Sequence, residues 1–148
     1  MPPILQALKS LPALIAAASR TSAPDLAVTL LKQLQLPLSS SASSTTTAAS
    51  TKRAYDVFDH LQIFPGDKRQ HFAKLHKATG IAYEEMLFFD DEGRNRNVEQ
   101  LGVCFWLVVD GVTRAEVDRG VQEWRRRRKV VARGGDGEAG VDGAVYGG

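Results

Sequence analysis

The stretch "MLFFDDEGRNRN", Met86 to Asn97, decides how this chain is read. Four apolar residues run directly into three acids, and a polar, glycine-bearing segment follows. A short apolar run bounded by turn residues reads as a buried strand. Crowding Asp90, Asp91 and Glu92 at its end is costly, because like charges repel and a carboxylate beside apolar surface loses hydration. Either the acids project into water or a positive group sits among them.

Outward from this stretch, strand and helix patterns alternate. Pro2 and Pro3 ahead of "ILQALKSL" predict a short helix. "ALIAAAS" (13–19) reads as a buried strand, and Ser22 with Pro24 and Asp25 reads as a capping box. The helix it opens places Leu26, Leu30 and Leu34 on one face. "LQIF" (61–64) reads as the next strand. Asp67 then caps a helix over "KRQHFAKLHKATG" (68–80), with Phe72, Leu75 and Thr79 on one side and Gly80 as its stop. After "EMLFF" (85–89), a short helical return over "RNRNVEQLG" (94–102) leads to the last strand, "VCFWLVV" (103–109). This alternation is the grammar of an α/β parallel sheet flanked by helices. One domain over residues 1–129 is expected, with a flexible low-complexity loop at 39–51, "SSSASSTTTAAST", and a flexible glycine-rich tail at 130–148.

Composition narrows the function. A net charge of +2 over 148 residues does not mark an obligate nucleic-acid binder, so no nucleic-acid partner is expected. No apolar run approaches the roughly 20 residues that span a bilayer, so no membrane partner is expected either. The single cysteine, Cys104, excludes an intramolecular disulfide, fits a reducing compartment and lies in an apolar strand as an inert small hydrophobe. A cytoplasmic location is expected, with the nucleus as the alternative on the basic run Arg125 to Lys129, "RRRRK". More often such a run is a solvated helix end, well placed against the helix dipole.

Three strand ends carry polar chemistry: Ser19, then Lys68 after "FPGD", then Asp90 and Asp91. In open parallel sheets ligands bind beyond the carboxyl ends of the strands, so all three belong on one edge. Lys68 falls in the first turn of its helix, where a cation opposes the dipole at a cost of a few tenths to about 1 kcal/mol. An anion received jointly by Lys68 and the helix N-terminus would explain it. The Ser19 hydroxyl, after a strand of small residues, suits a phosphate oxygen, with Arg20 beside it. Asp90 and Asp91 suit Mg²⁺, which takes one or two carboxylates with substrate oxygens and water. His71 and His76 are five apart and fall on different faces, unlike the i, i+4 pairs that grip zinc.

Taken in order, "AAASRTS", "IFPGDKRQHF" and "MLFFDDEGRN…LGV" resemble the magnesium-dependent phosphatase family of the haloacid dehalogenase (HAD) superfamily, from about Pro3 to Gly120. The resemblance implies a HAD-like, Rossmannoid sheet and Mg²⁺-dependent hydrolysis of phosphate monoesters through an aspartyl-phosphate. It implies phosphate binding by Ser19, Arg20 and Lys68, charge balance at the reacting phosphate by Lys68, and a magnesium site on Asp90 with Asp91 in support. The substrates it implies are phosphotyrosine or small phosphorylated molecules.

One departure stands out. The family's nucleophile lies in a D-x-D motif ending a central strand, between those ending here at Ser19 and Asp90, and nothing before Pro3 supplies it. Asp25 falls in a helix, and Asp56 and Asp59 end no apolar strand. The expectation is a HAD-like domain lacking its first, central strand and inactive alone, in which the strands at 13–19 and 86–89 close up and pair directly. The alternative from another class is a non-catalytic phosphate-binding or regulatory module. A phospho-acceptor receiver domain fits less well, since it places its acid pair first in the chain.

Overall fold

The computed structural model describes residues 2–9, 12–37 and 51–134. In chain order these form α1 (Pro2–Lys9), β1 (Ala16–Ser19), α2 (Pro24–Gln33), β2 (Gln35–Pro37), β3 (Thr51–Arg53), β4 (His60–Ile63), α3 (Lys68–Thr79), β5 (Leu87–Asp90), β6 (Cys104–Leu107) and α4 (Arg114–Gly134). Short 3-10 helices cover Ala54–Val57, Tyr83–Glu85 and Gly93–Leu101. The chain is α/β, with parallel pairing where the alternation requires it.

β1 pairs in parallel with β4, aligning Ser19 with Ile63, and β5 pairs in parallel with β6, aligning Asp90 with Leu107. Among the described residues no ladder joins β1 to β5. The expectation that these strands close on each other is therefore wrong, for a reason found at their carboxyl ends. β2 and β3 form an antiparallel pair that the sequence reading did not foresee, and Thr51, placed in the low-complexity loop, is its first paired residue on the β3 side. The rest of that loop lies outside the described residues.

The period of two along β5 and β6 divides their aromatics between two faces. Phe88 and Phe105 point to α3, where Phe72, Leu75, Val98 and Val103 complete the main core. Phe89 and Trp106 point to α4, which approaches closely enough that Gly120 lies against both rings. Gly120 is buried because this crossing leaves no room for a side chain. α3 starts at Asp67, whose carboxylate accepts from the Arg69 N–H (2.7 Å), and stops at Gly80, whose φ of 70° suits glycine. A second cluster packs Leu36, Ala54 and Val57 against Leu5, Ile15 and Leu31.

Two readings near α2 need correction. Ser22 caps nothing: Ala23 holds the cap position without a side-chain bond, and the turn is instead closed by the Thr21 hydroxyl accepting from the Ala23 N–H (3.2 Å). Leu26, Leu30 and Leu34 do share a face, but it is the exposed one; Leu31 is the leucine that packs inward. The arginines of 125–129 are largely engaged. Arg126 and Arg127 pair with Glu123, Arg127 also with Glu99, and Arg128 with Glu85, so the run behaves as a solvated helix face. α4 continues past residue 129 to Gly134.

Candidate active site

β1 and β5 both end beside the N-terminus of α3, whose Lys68 reaches Ala18 and Asp90. Strand carbonyls alternate between the two edges. The Ser19 carbonyl turns toward β4's continuation and accepts from the Phe64 N–H (3.1 Å), so the Ala18 carbonyl turns to the unpaired edge. There it accepts from Lys68 Nζ. The same ammonium stands 3.4 Å from Asp90 Oδ2 and 5.2 Å from the centroid of the Phe88 ring. Lys68 is only 5% exposed, so this is no surface lysine tolerating a poor helix position. Its cation is held between two strand ends.

The Asp90 carboxylate is nearly as enclosed, at 10% exposure, and is held from three sides. Oδ1 accepts from the Glu92 N–H (2.8 Å), while Oδ2 accepts from Asn95 Nδ2 (3.0 Å) and faces Lys68. The Asn95 side-chain oxygen in turn accepts from Arg20 Nη1 (3.1 Å). The result is a line of contacts, Arg20 to Asn95 to Asp90 to Lys68, that spans the break between the two strand pairs. The Ser19 hydroxyl borders it and accepts weakly from the Thr21 N–H (3.4 Å). Asp91 is exposed, and Arg94 at 2.5 Å from Glu92 holds that carboxyl below its usual range.

Ser19, Arg20, Lys68 and Asp90 are thus brought to one edge, with Asp91 at its margin. The acids divide between both options the sequence posed: Asp90 has its cation, and Asp91 projects to water. No group of three His, Cys, Asp or Glu able to hold a metal exists among the described residues. The donor chemistry does not suit a protein-only cage. It does suit a hard cation that takes one or two carboxylates and completes its shell with water and substrate oxygens, as Mg²⁺ does. The remaining aspartates near these strands are committed elsewhere. Asp56 pairs with Arg53, Asp59 with Lys9 and the Ile15 N–H, and Asp67 with Arg69 and Asn97.

The sequence reading missed two residues. Asn95 is 3% exposed, yet it sits in a run of arginines and asparagines that all read as solvated. His71 is fully buried, stacked on Phe64 with ring centroids 3.9 Å apart. Its signal was present: it lies one residue before Phe72 and four before Leu75, on the inward side of α3.

Comparison with known proteins shows the family. The sequence pattern of the acid phosphatase family matches residues 1–127. A HAD-like hydrolase superfamily protein of Schizosaccharomyces pombe is 41% identical over 102 residues, covering 69% of this chain and 54% of the relative. Magnesium-dependent phosphatase 1 of Homo sapiens is 33% identical over 127 residues, covering 85% of this chain and 62% of the relative. The matched segment therefore spans less than two thirds of the length of either relative. With residues 1–127 matched and the strand-end constellation in place, the chain belongs to the acid phosphatase family, among the HAD-like hydrolases.

Proposed function

We propose that the protein takes part in Mg²⁺-dependent hydrolysis of phosphate monoesters, and that this chain contributes the edge that binds phosphate and metal. The observation that carries the reading is Lys68: a buried ammonium at a helix N-terminus, shared between the end of β1 and the Asp90 carboxylate. A phosphoryl group entering there meets the Lys68 cation, the Ser19 hydroxyl and the α3 N-terminus, all favourable to an anion. Arg20 adds positive charge from the side of Asn95. Asp90, supported by Asp91, would hold the Mg²⁺, whose contribution when bound is to neutralise charge on the phosphoryl oxygens. Phosphotyrosine and small phosphorylated metabolites are the substrate classes proposed.

Covalent attack needs a further carboxylate aimed at phosphorus, and among the described residues the other carboxylate near this site, Glu92, is paired with Arg94 and 3.5 Å from Asn95 Nδ2. The chain by itself is therefore expected to bind phosphate without turning over p-nitrophenyl phosphate. Both measurements are made with and without Mg²⁺. Phosphate binding that needs Lys68, without turnover, supports the reading given and is equally the behaviour of a non-catalytic phosphate-binding module. Turnover lost in Asp90→Asn would instead place the whole reaction in this chain. Absence of phosphate binding under both conditions would remove both readings.

A further inference from the structure

The ring nitrogens of His71 face only acceptors. Nδ1 is 3.0 Å from the Asp67 carbonyl oxygen, and Nε2 is 2.8 Å from the carbonyl oxygens of both Ser19 and Phe64. A carbonyl has no hydrogen to give, so a ring nitrogen without a proton would set its lone pair against another lone pair. In a fully buried position water cannot relieve that conflict. The ring satisfies all three oxygens only when both nitrogens carry protons.

The three carbonyls are not scattered. Ser19 ends β1, Phe64 follows β4, and Asp67 caps α3. His71 therefore joins one parallel pair to the helix that carries Lys68. Lys68 and His71, one helical turn apart, hold the adjacent carbonyls of Ala18 and Ser19. The Phe64 ring that stacks on His71 also carries Lys74 Nζ 4.1 Å from its centroid. No carboxylate is among the hydrogen-bond partners of His71; Asp67 directs its own to Arg69 and Asn97.

We infer that His71 is a positioning residue: donating from both ring nitrogens, it fixes the Ser19 end of β1 against the first turn of α3, so that the Ser19 hydroxyl and the Lys68 ammonium face one phosphate. This rests on the phosphate-binding reading of Ser19 and Lys68. A histidine that only filled the core could be replaced by another ring. One that positions through its N–H groups could be replaced by another donor.

The test uses the full chain, inorganic phosphate with Mg²⁺ as the probe, and ¹⁵N–¹H spectra of the imidazoles. His71→Phe keeps a ring against Phe64 and removes both donors. His71→Gln returns an amide whose two N–H groups can reach the Ser19 and Phe64 carbonyls. Phosphate binding should weaken about tenfold or more in His71→Phe and largely recover in His71→Gln, since a buried acceptor without a donor is costly. The wild-type spectrum should show protons on both His71 nitrogens, a result available even if His71→Phe does not fold. Equal weakening in the two variants, or a wild-type ring nitrogen without its proton, overturns the inference. If the wild type binds no phosphate, the phosphate-site reading itself fails and the positioning role falls with it. If binding is lost in Lys68→Ala while both His71 variants bind normally, only the inference fails.

Discussion

Replacing Lys68 by methionine keeps most of the side-chain volume and removes the ammonium. From the sequence, a lysine in a first helical turn is nearly free to lose, and removing it relieves an unfavourable dipole contact of about 0.3–1 kcal/mol. Burial reverses that expectation. The pair with Asp90 is 3.4 Å apart, with side chains 6% and 10% exposed. Breaking a buried pair from one side costs about 3–5 kcal/mol, because the surviving charge stays enclosed. Asp90 keeps two donors, the Glu92 and Asn95 N–H groups, which lowers that figure. The Ala18 carbonyl loses its donor, which raises it by about 1 kcal/mol. The net expectation for Lys68→Met is a loss of about 2–4 kcal/mol, or a urea midpoint lower by about 1–2 M at the slopes usual for small domains.

The decisive measurement is a double-mutant cycle with Asp90→Asn, followed by circular dichroism in urea. Either single change leaves one charge enclosed without its partner, whereas the double variant leaves none. The double variant should therefore lose at least about 1 kcal/mol less than the sum of the singles. Additivity within about 0.5 kcal/mol would show that ammonium and carboxylate do not stabilise each other. The account of why they converge would then be wrong.

Gly120→Ala should destabilise although alanine is the better helix former by about 1 kcal/mol, because the new methyl would meet Phe89 Cε1 at 2.5 Å and Cζ at 2.8 Å. Overpacking of that kind costs about 1–3 kcal/mol, and a thermal midpoint unchanged or raised would refute the close crossing of α4 over β5 and β6. Acid should unfold the chain in a window set partly by Asp67 and Glu123. Hydrogen bonds from Arg69 hold Asp67 at about 2 against the usual 3.8, and those from Arg126 and Arg127 hold Glu123 at about 2 against the usual 4.5. Folded values below the unfolded ones mean that this stability is complete above about pH 4.5 and is lost as pH falls toward 2. Both carboxylates are partly solvated, so the effect of each is small. Urea midpoints at about pH 5 and pH 3 should nevertheless converge in Asp67→Asn relative to wild type, and an unchanged gap would count against the Asp67 contribution.

Legibility in the sequence followed how local the physics was. α3 could be read almost to the residue because Asp67 and Gly80 act within one turn of its ends. β5 and β6 could be read because their apolar runs are bounded by polar turns. The β2–β3 pair could not, since two three-residue strands carry no periodicity and pair across a long separation in the chain. The leucines of α2 misled because a helical stripe gives a face but not its direction. At the site, Ser19, Lys68 and Asp90 were legible as strand-end chemistry. Asn95 was not, because its burial shows only through a partner far away in sequence, Arg20; the inward position of His71 on α3 was legible, but its bond to Ser19 was not.

The separation of the two parallel pairs and the candidate site have the same cause. Along β1 the carbonyls of Ile15 and Ser19 point toward β4, so those of Ala16 and Ala18 point to the free edge. Along β5 the carbonyls of Met86 and Asp90 point toward β6, which leaves those of Leu87 and Phe89 on the free edge. Two such edges would ordinarily invite pairing. Here pairing at the carboxyl end would have to displace the Lys68 ammonium from the Ala18 carbonyl and confront that oxygen with the Asp90 carboxylate. Removing the cation from between an enclosed carboxylate and a free carbonyl costs more than the net contribution of a typical backbone hydrogen bond, about 0.5–1.5 kcal/mol. The break is thus held open where the Lys68 cation of α3 stands between the Ala18 carbonyl on one lip and the Asp90 carboxylate on the other, and on the proposed reading a phosphate with its metal would offer the same exchange in more favourable form. The anion would take the ammonium and the cation the carboxylate, so that neither Lys68 nor Asp90 would be left enclosed without a partner.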